Sequence, residues 1–290
     1  MVYKIIEILF PVFVIVLIGI IYSKRVKIDI DSINKINLDI FIPFLVFYSI
    51  ATQLPHISHL GYFSLGAVIV VFGSGVLLYP FVKLMKIDIN SFLPAMMFNN
   101  SINLGLPLAL LSFGQEAMAL FIALSLVQVI GQFTVAEMMY GGKIDLKAML
   151  KNPVIIATIF GLFFNYFNIS FPKTINISLE LLSQIAIPLI LFALGVRLST
   201  VKFENIKIGI LGAILCPLSG LIMAFLAIYI FNYSELQQKL LILFGLLPTA
   251  VLNAILAEKY KKDSAMVASI VAIGNLFTII YLPIALYFLL

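Results

Sequence analysis

Three asparagines, a serine, a glycine and a proline fall together in Asn99-Asn100-Ser101-Ile102-Asn103-Leu104-Gly105-Leu106-Pro107, with apolar sequence on either side. Asparagine amides and free backbone N–H groups hold carboxylate oxygens without carrying charge themselves. Pro107 removes a helix donor and crowds the preceding turn. Gly105 permits non-helical dihedrals. The spacing therefore predicts a helix interrupted near Gly105 and Pro107. A similar stretch, Pro248-Thr249-Ala250-Val251-Leu252-Asn253, lies in the second half of the chain. Two interrupted helices that cross would aim their half-helix N-termini at one point, each with roughly half a positive charge. That arrangement suits a small anion. The candidate binding residues are Asn100, Asn103, Gly105, Pro107, Pro248, Thr249 and Asn253. Gln128 either reaches the same point or bonds a neighbouring helix. Ser49 with Tyr48, and Asn275, are further candidates to face a ligand. The competing reading of the asparagines is that they tie neighbouring helices together.

The elements that must position these residues follow from composition. The chain has 290 residues, 63% hydrophobic and 11% charged, with a mean hydropathy of +1.17. A soluble domain carries roughly 45–50% apolar and about 25% charged residues. A water-soluble enzyme, a nucleic-acid-binding domain and a disordered chain are excluded, and an all-α polytopic membrane protein is expected. Apolar runs predict ten transmembrane helices near 5–22, 36–54, 61–83, 91–113, 117–140, 153–171, 176–196, 206–231, 240–257 and 264–290. The first is read as an uncleaved span, because Glu7 interrupts it and no small-residue cleavage site follows. Non-helical backbone at bilayer depth must be buried in protein or line a wet cavity, so the fourth and ninth spans are expected to do so.

Alternate loops carry fifteen of the eighteen basic residues, and the opposite set with the N-terminus holds only Lys4, Lys173 and Lys239. This bias places the protein in the plasma membrane with both termini on the non-cytoplasmic side. Arg197 falls in the loop-facing basic set. The single cysteine, Cys216, is expected to be a small buried hydrophobe. No cofactor, metal or nucleic-acid partner is indicated. His56 and His59 are read as solvated loop residues.

The chain also matches itself. Pro11-Val12 and Gly19 recur as Pro153-Val154 and Gly161, Ile42-Pro43 and Phe47 as Ile187-Pro188 and Phe192, and Ser74-Gly75 as Ser219-Gly220. The shifts are 142–146 and keep their order, which predicts two five-helix halves, 1–145 and 146–290. A register of 146 aligns Asn253 with Pro107; a rival register of 154 breaks the series. Five spans per half is an odd number, so the halves insert oppositely, as in secondary transporters that bind cargo at the repeat interface.

The run Asn100-Ser101-Ile102-Asn103-Leu104-Gly105-Leu106-Pro107-Leu108 resembles the fourth-span signature of the auxin efflux carrier family. Ile42-Pro43-Phe44-Leu45-Val46-Phe47, Gln128, Lys151-Asn152-Pro153 and Leu247-Pro248-Thr249-Ala250 leading to Ala257-Glu258-Lys259-Tyr260 are similar to the same family. The resemblance implies a 5+5 inverted repeat with crossing broken helices in spans four and nine, similar to the bile-acid-symporter and sodium–proton-antiporter folds. It further implies a scaffold of spans one, two, six and seven, a moving domain of spans three to five and eight to ten, and a homodimer through the scaffold. The expected cargo is a small organic anion, such as an auxin-like monocarboxylate or a dicarboxylate like malate or malonate, moved by elevator-type alternating access. Two departures stand out: the long hydrophilic central loop of plant members is absent, and Asn253 stands where the plant crossover has a second proline. No Lys or Arg lies near a span centre, and Glu7, Asp39, Glu137 and Glu180 sit near predicted ends. Coupling through a deep acid is not expected. A sodium-coupled symporter of the bile-acid type and a passive channel remain the alternatives.

Overall fold

The computed structural model describes residues 2–54, 60–144, 146–200 and 205–290. His56, His59 and Lys202 lie outside the described residues. The described residues form helices and the loops between them, and seven helices are long and apolar enough to cross a bilayer. In chain order we label α1 Val2–Ser23, α2 Ile30–Gln53, α3 Leu60–Leu84, α4 Ile89–Met97, α5 Ser101–Phe113, α6 Gln115–Met139 and α7 Leu146–Leu150. The second half holds α8 Pro153–Tyr166, α9 Lys173–Thr200, α10 Ile206–Ile230, α11 Glu235–Gly245, α12 Val251–Lys259 and α13 Ser264–Leu289. The protein is a multi-pass membrane protein. Three of the ten expected spans are shorter than a continuous crossing: the fourth is divided into α4 and α5, the ninth into α11 and α12, and the sixth is the 14-residue α8.

Helix starts follow side-chain chemistry. Asp29, Asp88, Asn152 and Asp263 accept hydrogen bonds from first-turn N–H groups of α2, α4, α8 and α13. A reciprocal Ser234–Gln237 box opens α11. Pro153 occupies the first position of α8, where a missing N–H removes no bond. Four π-turns interrupt α2, α5 and α6, over Asn37–Phe41, Ser49–Gln53, Ser101–Gly105 and Gln132–Ala136.

Packing sorts the helices into two groups. In the first, α1 lies along α9, and α2 packs on both α8 and α9. In the second, α10 packs on α3, α11 and α13, while α6 packs on α3 and α5. Glycine permits the closest approaches. A Cβ on Gly195 would stand 2.0 Å from the Val16 carbonyl oxygen of α1, and one on Gly220 would stand 2.1 Å from that of Gly245. These helices meet backbone to backbone.

Candidate functional site

The chain leaves helical geometry at Phe98-Asn99-Asn100, between α4 and α5, and at Leu246–Ala250, between α11 and α12. The two breaks meet in a short antiparallel bridge of Asn99 with Thr249. Asn100 N–H donates to the Pro248 carbonyl at 2.7 Å, and Ala250 N–H donates to the Phe98 carbonyl at 2.9 Å. Each break thus satisfies backbone groups of the other that would otherwise be unpaired in the interior.

This corrects the expected position of the first break. Gly105 is helical (φ −67°, ψ −47°), and Pro107 lies inside the helical run. The Leu106 N–H bonds back to the Ser101 carbonyl across the π-turn that ends just before Pro107. Gly105 is needed for contact instead: a Cβ there would lie 2.6 Å from Phe121 and 2.7 Å from Leu247. The bridge also sets a different register between the breaks. Asn99 faces Thr249, so Asn103 and Asn253 each lie four residues past the bridging residue, an offset of 150. By this measure Asn253 corresponds to Asn103 and not to Pro107.

Side chains brace the crossing. Asn99 Nδ2 donates to the Phe244 carbonyl (2.6 Å), and Gln128 Nε2 donates to the Asn99 carbonyl (2.7 Å). Thr249 Oγ1 donates to the Ala95 carbonyl (2.7 Å), and Asn253 Nδ2 donates to the Phe98 carbonyl (2.8 Å). Asn100 Nδ2 reaches Asn275 Oδ1 at 2.9 Å, while Asn275 Nδ2 bonds the Val271 and Thr249 carbonyls. Cys216 is buried behind the second break, its Sγ 3.7 Å from the Leu247 carbonyl oxygen.

A cavity of about 310 Å³ opens beside the first break. This is at the lower end of the roughly 300–1,000 Å³ usual for small-molecule sites. Of the expected site residues, Asn100, Asn103 and Gln128 line it. Gly105, Pro107, Pro248, Thr249, Asn253 and Ser49 do not, and neither does Tyr48. Thr249 and Asn253 are turned into the crossing to hold it together, and Ser49 is buried away from the cavity. Ala250, Val251 and Leu252 bring the start of α12 to the cavity wall, beside the start of α5. The start of α8, with Asn152, Pro153 and Val154, forms another part. Three helix N-termini therefore border one cavity, where the helix dipoles favour negative charge, although Asn152 already caps the first turn of α8.

Several lining residues were not among the expected ones. Asn37 and Gln132 come from π-turns of α2 and α6, and Asn34 lies one turn before Asn37. Their amides were hidden in runs whose periodicity read as ordinary helix. Arg197 also lines the cavity, on the stripe Ile190, Ala193, Leu194 and Arg197 of α9. Its spacing from Ile190 was the available signal, since residues three, four and seven apart share a helix face. Asp39, expected at an interface, lies on the cavity rim. Glu137 receives hydrogen bonds from Lys259 Nζ (2.7 Å) and the Tyr260 hydroxyl, which clasps the end of α6 to the end of α12. These contacts, Glu137 first, raise the Lys259 ammonium above its ordinary value.

No group of three or more His, Cys, Asp or Glu side chains suited to a metal ion occurs among the described residues. Comparison with known proteins agrees with a transport role. An uncharacterized transporter of Methanocaldococcus jannaschii is 26% identical over 285 residues, covering 92% of this chain and 90% of that one. Residues 138–286, just over half of the chain, match the family described as Membrane transport protein. The chain belongs to this family, the auxin efflux carriers.

Proposed function

We propose that the protein is a secondary transporter of a small organic anion in the plasma membrane. The observation that carries this reading is the cavity wall: the starts of α5, α8 and α12 border it together with Asn103 and Arg197. Positive half-charges and amide donors gathered around one cavity make a place for a carboxylate within the membrane-spanning helices.

The wider architecture follows as part of the same proposal. The halves 1–145 and 146–290 form a 5+5 inverted repeat of ten spans, with α4–α5 and α11–α12 as the crossing broken spans. In support, α3 and α10 are each 25 residues long, and the two breaks exchange a pair of backbone hydrogen bonds about one bridge. The group α1, α2, α8 and α9 serves as scaffold. The group α3–α6 with α10–α13 carries the cargo past it in an elevator motion. The basic loops face the cytoplasm and both termini face away from it. The cavity runs from the crossing toward Asn34, Asn152 and Arg197, which adjoin the basic loops, so this conformation is open to the cytoplasm.

Counterflow in proteoliposomes tests the reading. Vesicles are preloaded in turn with malonate, malate, benzoate, indole-3-acetate and neutral controls. The expected result is saturable exchange of at least one acid. Exchange of neutral or cationic solutes alone would end the anion assignment, and flux without saturation or counterflow would mark a channel.

A second reading has its own support. The amides of Asn99, Gln128 and Asn253 each donate to a crossover carbonyl, which leaves Asn99 Oδ1, Gln128 Oε1 and Asn253 Oδ1 buried without a donor. Acceptor oxygens of this kind suit a hard cation, and they favour sodium as a coupling ion over a deep titrating acid. A sodium-dependent rise in melting temperature, absent with potassium, is the expected sign; no difference between the two salts would remove sodium from the scheme.

A further inference from the structure

We infer that Arg197 is the residue that recognises the charge of the cargo, a role resting on the anion reading above. The stripe Ile190, Ala193, Leu194 and Arg197 turns one face of α9 to the cavity, so Arg197 belongs to the wall and not to a solvated loop. From Ile190 to Arg197 the helix rises about 10 Å, so the wall changes from apolar side chains to a guanidinium toward the helix end. Arg197 is half-buried, and among the described lining residues it is the cation and Asp39 the carboxylate.

The chemistry of the guanidinium fits the task. It keeps its charge at any physiological pH and presents a planar fork of donors that matches a carboxylate with two parallel hydrogen bonds. Five N–H donors allow the fork to serve a cargo oxygen as well as a protein partner. Gln132, buried on the same cavity, has its Nε2 without an acceptor and adds a neutral donor to that wall. The starts of α5 and α12 and Asn103 lie at the opposite, crossover end, while the start of α8 lies on the same side as Arg197. Arg197 would select an anion from the open side, and the crossover would hold it for transport. Arg197 sits on α9, in the group proposed as scaffold, and the crossover in the moving group. The contact with Arg197 is therefore made in one conformation and released in the other.

The test compares wild type, Arg197→Gln and Arg197→Lys in proteoliposomes, with benzoate, indole-3-acetate, malonate and malate as probes and benzamide as a neutral control. For an acid that wild type exchanges, Arg197→Gln should raise the half-saturation concentration roughly 10- to 100-fold, the loss of one charge-assisted contact. Arg197→Lys should recover part of the loss, since it restores charge without the fork. A second measurement needs no change at the site. Arg25 and Arg197 are the chain's two arginines, so Arg25→Lys leaves Arg197 as the single target of phenylglyoxal. Modification should abolish acid exchange, and the exchanged acid should protect against it while benzamide does not. Unchanged half-saturation in Arg197→Gln, or inactivation that the acid fails to slow, would overturn the role of Arg197 and leave the anion reading standing. Absence of acid exchange in wild type would overturn both.

Discussion

The two helix breaks are built from similar residues and do different work. The first, at Phe98–Asn100, lines the cavity with Asn99, Asn100, Ser101 and Asn103, although the Asn99 and Asn100 amides also bond Phe244 and Asn275. The second, at Leu246–Ala250, shows the cavity only Ala250 and the apolar start of α12. Its polar side chains, Thr249 and Asn253, donate instead to carbonyls of the first break and its flank, Phe98 and Ala95. The first break therefore both lines the cavity and braces the crossing, whereas the polar side chains of the second only brace it. Similar residues at two breaks need not give similar surfaces, because a polar side chain in a buried crossing is first claimed by unpaired backbone groups.

Substitutions can separate the two roles, and the largest effect is expected where the second break is anchored. Gly245→Ala places a Cβ about 2.5 Å from the Gly220 carbonyl oxygen. Backbone cannot yield as a side chain can, so destabilisation of about 3 kcal/mol is expected, read as a large fall in melting temperature in detergent. Asn253→Ala removes the Asn253 bond to the Phe98 carbonyl, with both groups buried. A cost of about 2 kcal/mol is expected, and transport should fall together with thermal stability. Asn103→Ala should behave oppositely. Asn103 is half-buried on the cavity wall, so stability should change by less than about 0.5 kcal/mol while acid uptake drops roughly tenfold, the equivalent of about 1.4 kcal/mol. If Asn103→Ala lowers melting temperature as much as Asn253→Ala, the division between the breaks fails.

The smallest expected effect lies outside the crossing. Lys259 is more than half exposed, and its contact with Glu137 is worth about 0–1 kcal/mol. Because the folded state raises the Lys259 value, its contribution is complete below the ordinary 10.5 and is lost as pH rises through the raised value. The small melting-temperature deficit of Lys259→Met should therefore be present at neutral pH and vanish in strong alkali. A deficit that persists there would assign it to packing of the lysine stem.

Sequence patterns revealed much of this arrangement, with instructive gaps. Hydropathy locates every long helix among the described residues, and the clustered asparagines mark the crossing. The expected break lies several residues past the observed one, because Gly105 reads as a source of dihedral freedom and Pro107 as a lost helix donor. In the fold Gly105 answers to the Phe121 and Leu247 side chains, and Pro107 follows a π-turn that the sequence does not announce. Two other π-turns, Asn37–Phe41 and Gln132–Ala136, hide Asn37 and Gln132, since the extra residue rotates a side chain to a face that regular helical spacing assigns elsewhere. Arg197 reads as a loop cation because the seventh apolar run ends at residue 196, although its spacing from Ile190 puts it on one helix face with apolar residues.

The most direct test uses the chain's own single cysteine, Cys216, which is buried. Against that background, Asn103→Cys and Asn253→Cys each add one thiol at corresponding distances beyond the bridge. A water-soluble maleimide should label the cysteine at 103, and the transported acid should protect it, while the cysteine at 253 stays unlabelled until the protein is denatured. Equal labelling at both positions, or labelling at 253 alone, would contradict the claim that the first break faces the cargo and the second only supports it.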